Sequence, residues 1–352
     1  MSWEDYSVEQ NKKNPFENHA CGFRQGKEYQ IIMEKTEIPV IDVIIPAYRP
    51  DDSFHKLIRL LLEQSVKPHH IYVLQTIEDG EQVLQPLDQR MSVHPVPKKE
   101  FDHGATRDYG VGLAVKDIGD DISQHYILFM TQDAVPAGTE LLERLVKPFG
   151  DDRTAITYAR QLAREEADLL ERLTRVHNYP PEDQVKSKED LERLGIKTYF
   201  CSDVCAMYRL DRYMEQGGFV HPTIFNEDMI MASRMIQAGY QVVYCGSGEG
   251  VHFHNYSCMQ QFHRNFDLGV SQKQYREVFE SISSEKEGAG YAKSTLLYLL
   301  KRGKPGKAFY FALQCGFKLI GYKLGKNYDH LPRKMVLWCT MTPGYVLFHQ
   351  DE

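Results

Sequence analysis

The stretch YILFMTQDAVP, residues 126–136, decides how the rest of the chain is interpreted. Its first five residues are apolar and predict a buried β-strand. Asp133 then places a single carboxylate where that strand ends. Ligands of open α/β sheets bind just beyond the carboxyl ends of the strands, so this is a candidate site for a metal or a phosphate. The alternative is that Asp133 only caps a turn.

The residues before this stretch predict an α/β fold. A β-branched run at 40–45 ends at Pro46, and residues 54–62 then carry an apolar face with helical spacing. A second strand at 71–74 completes a strand–helix–strand unit, whose crossover is expected to be right-handed. Further strands are predicted at 93–96 and 126–130, and further helices at 105–115 and 141–149. Together they predict a Rossmann-like, doubly wound sheet over residues 38–150.

The second half of the chain continues this alternation. Helices are predicted at 163–175 and 229–238, strands at 198–208 and 240–245, and a charged, solvated insertion near the site at 182–193. The predicted organisation is an N-terminal arm (1–37), a catalytic domain (38–270, divided at residue 150) and a helical C-terminal region (271–352).

The charge of the chain is unevenly distributed. The formal net charge of the 352 residues is −7, so nucleic acid is not an expected partner of the whole chain. Residues 293–334 nevertheless hold ten Lys and Arg and one acid, Asp329. Apolar residues at 309, 313, 317, 320 and 324 form a helical stripe in the same region. This basic amphipathic helix either lies on an anionic membrane surface or packs on the catalytic domain and exposes its lysines.

The cysteines and the N-terminal sequence predict a compartment. The seven cysteines are odd in number and form no Cys-x-x-Cys pair, which favours reduced thiols. The first residues, MSWEDY, are acidic and polar and argue against a signal peptide. No apolar run approaches the roughly 20 residues that a membrane-spanning helix needs. We expect a cytoplasmic protein that is peripheral at the cytoplasmic face of the inner membrane.

Two carboxylates precede the buried helix at 229–238. Asn226 is placed to cap that helix, with Glu227 and Asp228 in its first turn. The helix dipole favours negative charge there, so at least one carboxylate is expected to stay ionised at neutral pH. An ionised carboxylate is what a general base requires. The alternative is that these acids only stabilise the helix.

His252 and His254 are candidate metal ligands. They lie two apart in an extended segment and therefore point to opposite sides, so they cannot easily bind the same ion. One of them, combined with Asp133, would suit Mg²⁺ or Mn²⁺, of which Mn²⁺ is more tolerant of imidazole. The alternative is that both histidines are structural.

Two helices offer candidate contacts for a phosphate. In the segment 101–107, Gly104 allows close backbone approach at a helix N-terminus and Arg107 adds a guanidinium. Gln261 and Arg264 lie three apart on another predicted helix and hence on one face. The alternatives are a capped helix with a surface arginine and an ordinary solvated helix face.

In this order, the motifs resemble the family-2 inverting glycosyltransferases, and most closely their bacterial rhamnosyltransferase branch. The resemblance covers roughly residues 38–270. The segments that carry it are IIPAY (44–48), FDHGATR (101–107), TQDA (131–134), YARQ (158–161), NYP (178–180), TYFCSD (198–203), NED (226–228) and HFHNYS (252–257). It implies a GT-A fold with a nucleotide-binding half, 38–150, and an acceptor-binding half, 151–270.

The resemblance also implies roles for individual residues. Asp228 would be the general base, with Glu227 beside it. Asp133 would bind a divalent metal, Mn²⁺ or Mg²⁺, together with His252 or, alternatively, His254. The implied nucleotide-sugar contacts are Pro46, Ala47, Tyr48, Arg49, Thr76, His103, Gly104, Arg107, Gln132 and Asp133. The implied acceptor or diphosphate contacts are Ser202, Asp203, Gln261 and Arg264.

The chain departs from the family pattern at several of these motifs. Thr131 replaces the first acid of the DxD-type motif, which leaves strict metal dependence open. Asn265 replaces the Trp of a Gln-x-x-Arg-Trp motif that is prominent in processive synthases, as expected of an enzyme adding one or a few sugars. Asp108 and Asp203 stand where the family often has Asn, and either change could alter donor or acceptor preference.

The rhamnosyltransferase branch implies dTDP-β-L-rhamnose as donor and a cell-surface polysaccharide or lipid-linked saccharide as acceptor. A UDP-hexose donor is an alternative, as is a non-catalytic carbohydrate-binding scaffold on the same fold. A nucleotidyltransferase would show a glycine-rich, basic loop after the first strand, and residues 46–51 do not form one. Whether the chain forms a homodimer is left open.

Overall fold

The computed structural model describes residues 39–118, 122, 124–252, 256–280 and 285–349. The predicted N-terminal arm, 1–37, lies outside these residues. The strands are β1 (Val40–Tyr48), β2 (His70–Ile77), β3 (Met91–Pro97), β4 (His125–Met130), β5 (Ala134–Pro136), β6 (Thr154–Leu162), β7 (Gln184–Lys186), β8 (Cys205–Arg209) and β9 (Gln241–His252).

Helices connect most of these strands and continue after the last one. They are α1 (Asp52–Leu62), α2 (His103–Ile118), α3 (Leu141–Val146), α4 (Leu169–Asn178), α5 (Leu191–Leu194), α6 (Leu210–Glu215), α7 (Glu227–Gln237), α8 (Cys258–Gln274), α9 (Arg276–Phe279), α10 (Glu285–Lys301), α11 (Pro305–Gly325), α12 (Arg333–Cys339) and α13 (Pro343–His349). Short 3₁₀ helices lie at Lys98–Glu100, Lys147–Gly150, Lys188–Asp190, Gly195–Tyr199 and Tyr328–His330.

The strands form one mixed sheet in the order β3-β2-β1-β4-β8-β6-β9-β5, and β7 pairs with β9. β1 is parallel to β2 and β4, and β6 is parallel to β9, whereas β8 is antiparallel to both β4 and β6. The strands β1, β2, β4, β6 and β9 therefore all end at the same edge of the sheet, where α/β proteins bind ligands. The predicted α/β, GT-A-type fold is confirmed, with a mixed sheet.

Local sequence explains the first strand–helix unit. Residues 41–45 of β1 are fully buried, as expected of a parallel strand covered on both faces. Asp51 caps α1, because its carboxylate accepts hydrogen bonds from the backbone N–H of Ser53 (2.9 Å) and Phe54 (3.3 Å). In α2, a Cβ on Gly110 would lie 2.6 Å from Cγ2 of Ile44, so this glycine lets α2 pack closely on β1.

Three predicted elements differ from the observed ones. The helix predicted at 163–175 begins only at Leu169, after Asp168 caps it. The strand predicted at 198–208 shortens to β8, because its apolar first part forms a 3₁₀ helix instead. The charged insertion at 182–193 contributes strand β7, which pairs with β9 and buries Lys186. The helix start is set by a local cap, whereas β7 forms through long-range pairing with β9, which overrides the local charged pattern.

The C-terminal helices pack on the rest of the chain through α8 and, from α10 and α11, also on Leu170 of α4. A Cβ on Gly321 or Gly325 of α11 would collide with backbone carbonyl groups of α8. Close backbone contact of this kind requires glycine. The side of α11 that faces α8 agrees with the alternative that this helix packs on the catalytic domain, and its opposite face exposes apolar side chains, such as Phe309 (68% exposed) and Ile320 (56%). Within the described ranges, every helix is too short or too polar to cross a bilayer.

Candidate active site

Asp133 and His252 come together at the carboxyl edge of the sheet. β5 pairs with the end of β9 so that Ala134 lies opposite His252. This register places Oδ2 of Asp133 3.5 Å from Nε2 of His252. Burial lowers the pKa of His252, which favours the neutral imidazole that metal ions require.

The other face of His252 is also fixed. Its Nδ1 lies 3.1 Å from Oε1 of Gln161 and 3.3 Å from Nη2 of Arg175. Two tautomers of the ring fit these partners. With the proton on Nδ1, the ring donates to Gln161 and turns its Nε2 lone pair towards Asp133; with the proton on Nε2, its Nδ1 accepts from Arg175. Gln161 also donates a hydrogen bond from Nε2 to Oγ of Ser202 (2.9 Å). This bond connects Ser202, a predicted acceptor or diphosphate contact, to His252 through Gln161.

Asp133 and His252 fit a divalent cation as two of its ligands, one oxygen and one nitrogen. The part of the chain that the structure describes contains no group of three His, Cys, Asp or Glu side chains that could bind a metal together. His254, the alternative ligand, lies outside the described residues. Any further ligand among the described residues would therefore have to come from another type of group.

A second cluster forms where α7 begins. Asn226 precedes α7 in a left-handed conformation (φ 67°), and its side chain makes no cap hydrogen bond. Instead its Nδ2 donates to Oγ of Ser271 in α8 (2.9 Å). The expectation that the Asn226 side chain caps α7 is therefore wrong, because a buried partner on α8 takes its amide. Glu227 and Asp228 occupy the first turn as predicted.

Arg107 lies inside this cluster and is 4% exposed. Its Nη1 donates to Oε1 of Glu227 (2.9 Å) and to the carbonyl of His103 (3.0 Å), and its Nε lies 3.7 Å from Oδ2 of Asp203. The alternative of a surface arginine is excluded. The structure thus brings Arg107, a predicted nucleotide contact, into one cluster with the predicted acids Glu227 and Asp228 and with Asp203.

Two carboxyl groups, those of Glu227 and Asp203, pair with this guanidinium, and Asp228 lies beside them, with its Oδ2 3.3 Å from the backbone N of Asp203. Burial raises the pKa of Asp203 to about 7, although Arg107 and the Tyr208 hydroxyl oppose the rise. Burial and the nearby charges of Asp203 and Glu227 raise the pKa of Asp228 well above its usual range. At Asp228 these effects outweigh the helix dipole on which the sequence expectation rested. Asp228 is half-buried and so remains within reach of a ligand.

The start of α2 is tied to the same region. Asp102 accepts hydrogen bonds from the backbone N–H of Ala105 (2.8 Å) and of Thr223 (2.7 Å), which precedes α7. A Cβ on Gly104 would collide with the carbonyl oxygen of Val220 in that loop. Gly104 is therefore required for this packing, and burial lowers the pKa of the adjacent His103.

A polar network covers the carboxyl ends of β1 and β2. The Tyr48 hydroxyl donates to Oε1 of Glu78 (2.5 Å), and Nζ of Lys98 donates to the same oxygen (2.6 Å). These contacts, that of Lys98 foremost, lower the pKa of Glu78 to about 2. The sequence reasoning missed Glu78 and Lys98. The available signal was a charged residue directly after β2 and another directly after β3.

The other predicted nucleotide contacts also lie at this edge. Gln132 is bound to the backbone of Tyr48, since its Oε1 accepts from the Tyr48 N–H (2.8 Å) and its Nε2 donates to the Tyr48 carbonyl (3.0 Å). Arg49 pairs with Glu81 at 3.0 Å. Pro46, Ala47 and Thr76 belong to the last residues of β1 and β2, and Ala47 and Thr76 are buried.

Arg264 of α8 faces aromatic rings. Its guanidinium carbon lies 4.6 Å from the ring centroid of Phe225 and 5.6 Å from that of Tyr256. Cation–π contacts of this kind orient the arginine next to the loop that leads into α7. Gln261 lies one turn earlier on α8.

These features define a class of protein: an α/β enzyme with a candidate metal site and a buried carboxylate cluster at the carboxyl edge of its sheet. A family model for glycosyl transferase family 2 matches residues 42–215. O-antigen chain rhamnosyltransferase RfbN of Salmonella typhimurium is 35% identical over 314 residues, which covers 87% of this chain and 95% of the relative. O-antigen chain rhamnosyltransferase WbaN of Salmonella anatum is 32% identical over 319 residues, covering 88% and 96%.

The chain belongs to the family-2 glycosyltransferases, in the branch that contains these two relatives, and it is a glycosyltransferase. Among solved structures, the mannosyltransferase PcManGT of Pyrobaculum calidifontis is similar, with a TM-score of 0.48 and 14% identity over 90% of this chain and 89% of that one. That structure is a complex with GDP-mannose and Mn²⁺.

Proposed function

We propose that this enzyme transfers L-rhamnose from dTDP-β-L-rhamnose to a hydroxyl group of an O-antigen-type polysaccharide or its lipid-linked precursor. The observation that carries the catalytic part is the cluster at the start of α7, where a half-buried Asp228 stands beside a buried arginine–carboxylate network. The sugar assignment is supported by the names of the two Salmonella relatives.

In this proposal Asp228 acts as the general base. A sugar hydroxyl is a weak nucleophile at neutral pH, so a positioned base contributes about 10²–10⁴-fold to the rate. The hydroxyl proton moves to Asp228 while its oxygen forms a bond to the anomeric carbon. The bond from that carbon to the nucleoside diphosphate breaks on the opposite side. A single displacement of this kind inverts the anomeric centre and gives an α-L-rhamnoside.

Asp133 and His252 are proposed to bind a divalent metal, Mn²⁺ or Mg²⁺, on the donor diphosphate. When bound, the ion would stabilise the negative charge of the leaving group. The 3.5 Å between the carboxylate oxygen and the imidazole nitrogen suits two ligands of one ion. Tyr48, with the Glu78–Lys98 pair beside it, is proposed to line the nucleotide site at the ends of β1 and β2.

Isothermal titration calorimetry with dTDP-rhamnose, UDP-glucose, UDP-galactose and GDP-mannose, each with and without Mn²⁺, tests the donor. Selective binding of dTDP-rhamnose that Mn²⁺ strengthens, and that weakens in Asp133→Asn, supports the proposal. Preference for a UDP-sugar would refute the rhamnosyl assignment and keep the mechanism. Binding of no donor would favour a carbohydrate-binding scaffold.

The C-terminal helices are proposed to dock on the anionic surface of the inner membrane. Phe309, Leu313 and Ile320 recur at helical spacing on α11 and are 68%, 41% and 56% exposed. Trp338 of α12 adds a ring that is 60% exposed. Exposed lysines and arginines stand near these apolar residues, at positions 301, 302, 304, 307, 323, 333 and 334. Apolar side chains next to basic ones are typical of helices that lie in a membrane interface.

Vesicle sedimentation tests this docking. The full chain should bind phosphatidylcholine vesicles that contain phosphatidylglycerol, bind pure phosphatidylcholine weakly, and dissociate as salt rises. Phe309→Ser/Ile320→Ser should bind at least about tenfold more weakly, since each side chain withdrawn from water contributes about 1.5–3 kcal/mol. Leu87→Ser removes an exposed apolar residue elsewhere (46% exposed) and serves as the control. Equal vesicle binding by the wild-type chain, Phe309→Ser/Ile320→Ser and Leu87→Ser would exclude this surface as the membrane contact.

A further inference from the structure

Asp203 is a buried carboxyl group that the proposed transfer step does not use directly. It is 3% exposed and lies in the loop before β8. The Tyr208 hydroxyl donates to its Oδ1 (2.7 Å), and Nε of Arg107 lies 3.7 Å from its Oδ2. Its backbone N–H donates to Oδ2 of Asp228 (3.3 Å). Asp203 therefore contacts the proposed base through its backbone, while its side chain faces a guanidinium and a phenol.

The positive charge of Arg107 is unequally shared among the carboxyl groups of the cluster. Arg107 makes its charged hydrogen bond to Glu227, and its Nε, like Oδ2 of Asp203, is buried without a hydrogen-bond partner among the described residues. Asp203 still faces the positive charge and receives the Tyr208 hydroxyl, both of which stabilise its ionised form. Asp228 receives hydrogen bonds only from the backbone N–H groups of Met229 and Asp203 within the described part of the chain.

We propose that Asp203 is a positioning residue whose negative charge, stabilised by Arg107 and Tyr208, makes Asp228 a stronger base. This inference rests on the proposed function, in which Asp228 takes the proton of the acceptor hydroxyl. Two like charges in a buried site oppose each other, and the group without an ion pair to Arg107, which among the described residues is Asp228, binds its proton more tightly. A carboxylate of higher pKa accepts the hydroxyl proton more completely during attack.

The electrostatic surroundings of Asp203 and Asp228 agree with this difference between the two acids. Burial raises the pKa of both Asp203 and Asp228, and at Asp228 the charge of Asp203 is the second cause of the rise. Two further groups feel the charge of Asp203, the thiol of Cys201 and the hydroxyl of Tyr213, and burial raises both their pKa values well above the usual range. These two groups stay neutral near pH 7, so the charge balance is set by Arg107 and the three carboxyl groups.

Asp203→Asn tests the inference, because Asn has nearly the same shape and is often found here in the family. The acid limb of the kcat–pH profile should move to lower pH by about one to three units, as expected when a close like charge is removed. The plateau kcat should fall, because the base is weaker, while the KM for the donor stays the same. An unmoved acid limb, with kcat lowered equally at every pH, would show a packing role and overturn the inference.

Asp108→Asn is the matched control. Asp108 lies on α2, next to Arg107, and like Asp203 it stands where the family often has Asn, but its carboxylate faces the Tyr213 hydroxyl and the Phe219 N–H (3.2 Å). Its profile should not move. If Asp228→Asn retains transfer, the proposed function fails; if it is inactive while Asp203→Asn keeps the wild-type profile, only the present inference fails.

A second measurement covers the case in which Asp203→Asn does not fold. In wild-type protein with ¹³C-labelled aspartate carboxyl groups, NMR should find that the carboxyl resonance missing from Asp228→Asn titrates above the ordinary range of aspartate. An Asp228 resonance that titrates in the ordinary aspartate range would overturn the inference.

Discussion

Replacing Arg107 by methionine should destabilise the protein far more than the loss of an exposed arginine does. The Arg107 side chain is 5% exposed, and it pairs with Glu227 at 2.9 Å and with Asp203 at 3.7 Å, whose side chains are 10% and 3% exposed. Removing one partner of a buried ion pair leaves uncompensated charge and typically costs about 3–5 kcal/mol. This is a third or more of the unfolding free energy of many domains. The exposed pair Arg153–Asp151 provides the contrast, since Arg153→Met should cost about 0–1 kcal/mol.

Urea unfolding followed by circular dichroism at pH 7.5 measures both variants. The double variant Arg107→Met/Glu227→Gln also removes the Glu227 charge that would otherwise lack its partner. Its loss of unfolding free energy should therefore be smaller than the sum of the losses in the two single variants. The coupling energy should be at least about 1 kcal/mol. A loss below 1 kcal/mol in Arg107→Met, or additive losses in the double variant, would refute the view that this cluster is a buried, mutually dependent ion network.

Three further outcomes can be measured independently. Gly325→Leu should lower the urea midpoint by the equivalent of about 1–3 kcal/mol, because a side chain there collides with the carbonyl of Phe266. Gly306→Ala should leave the midpoint unchanged, because Gly306 faces open space. Burial raises the pKa of Asp267 to about 7, so the folded state binds this proton more tightly than the unfolded state. The stability that this proton contributes is therefore lost as pH rises from about 4 to 7. Asp267→Asn should reduce the dependence of the melting temperature on pH over this range. Glu78→Gln should weaken donor binding in calorimetry several-fold and leave kcat nearly unchanged, because it removes the charge that orders the proposed nucleotide site.

The features that follow from short stretches of sequence could be predicted. The runs 40–45, 71–74 and 126–130, apolar except for the buried Asp42, predicted the central strands, because parallel strands covered on both faces are mostly apolar. The ion pair between Arg107 and Glu227 could not be predicted, since the two residues are 120 apart in the sequence. Its effect on stability also depends on the burial of both side chains, which the sequence does not show. The same holds for the contact between Asp133 and His252, which exists only because β5 pairs with the end of β9.

Helix α8 relates the proposed active site to the proposed membrane surface. On one side it carries Arg264, stacked on Phe225 beside the start of α7. On the other side it packs against α11, where Gly321 and Gly325 bring the two backbones together. A contact between backbones has no side chain that could change rotamer, so α11 cannot shift without displacing α8. If α11 docks as proposed, the carboxyl edge of the sheet is therefore held at a fixed orientation to the bilayer, which is what an enzyme acting on a lipid-linked saccharide requires.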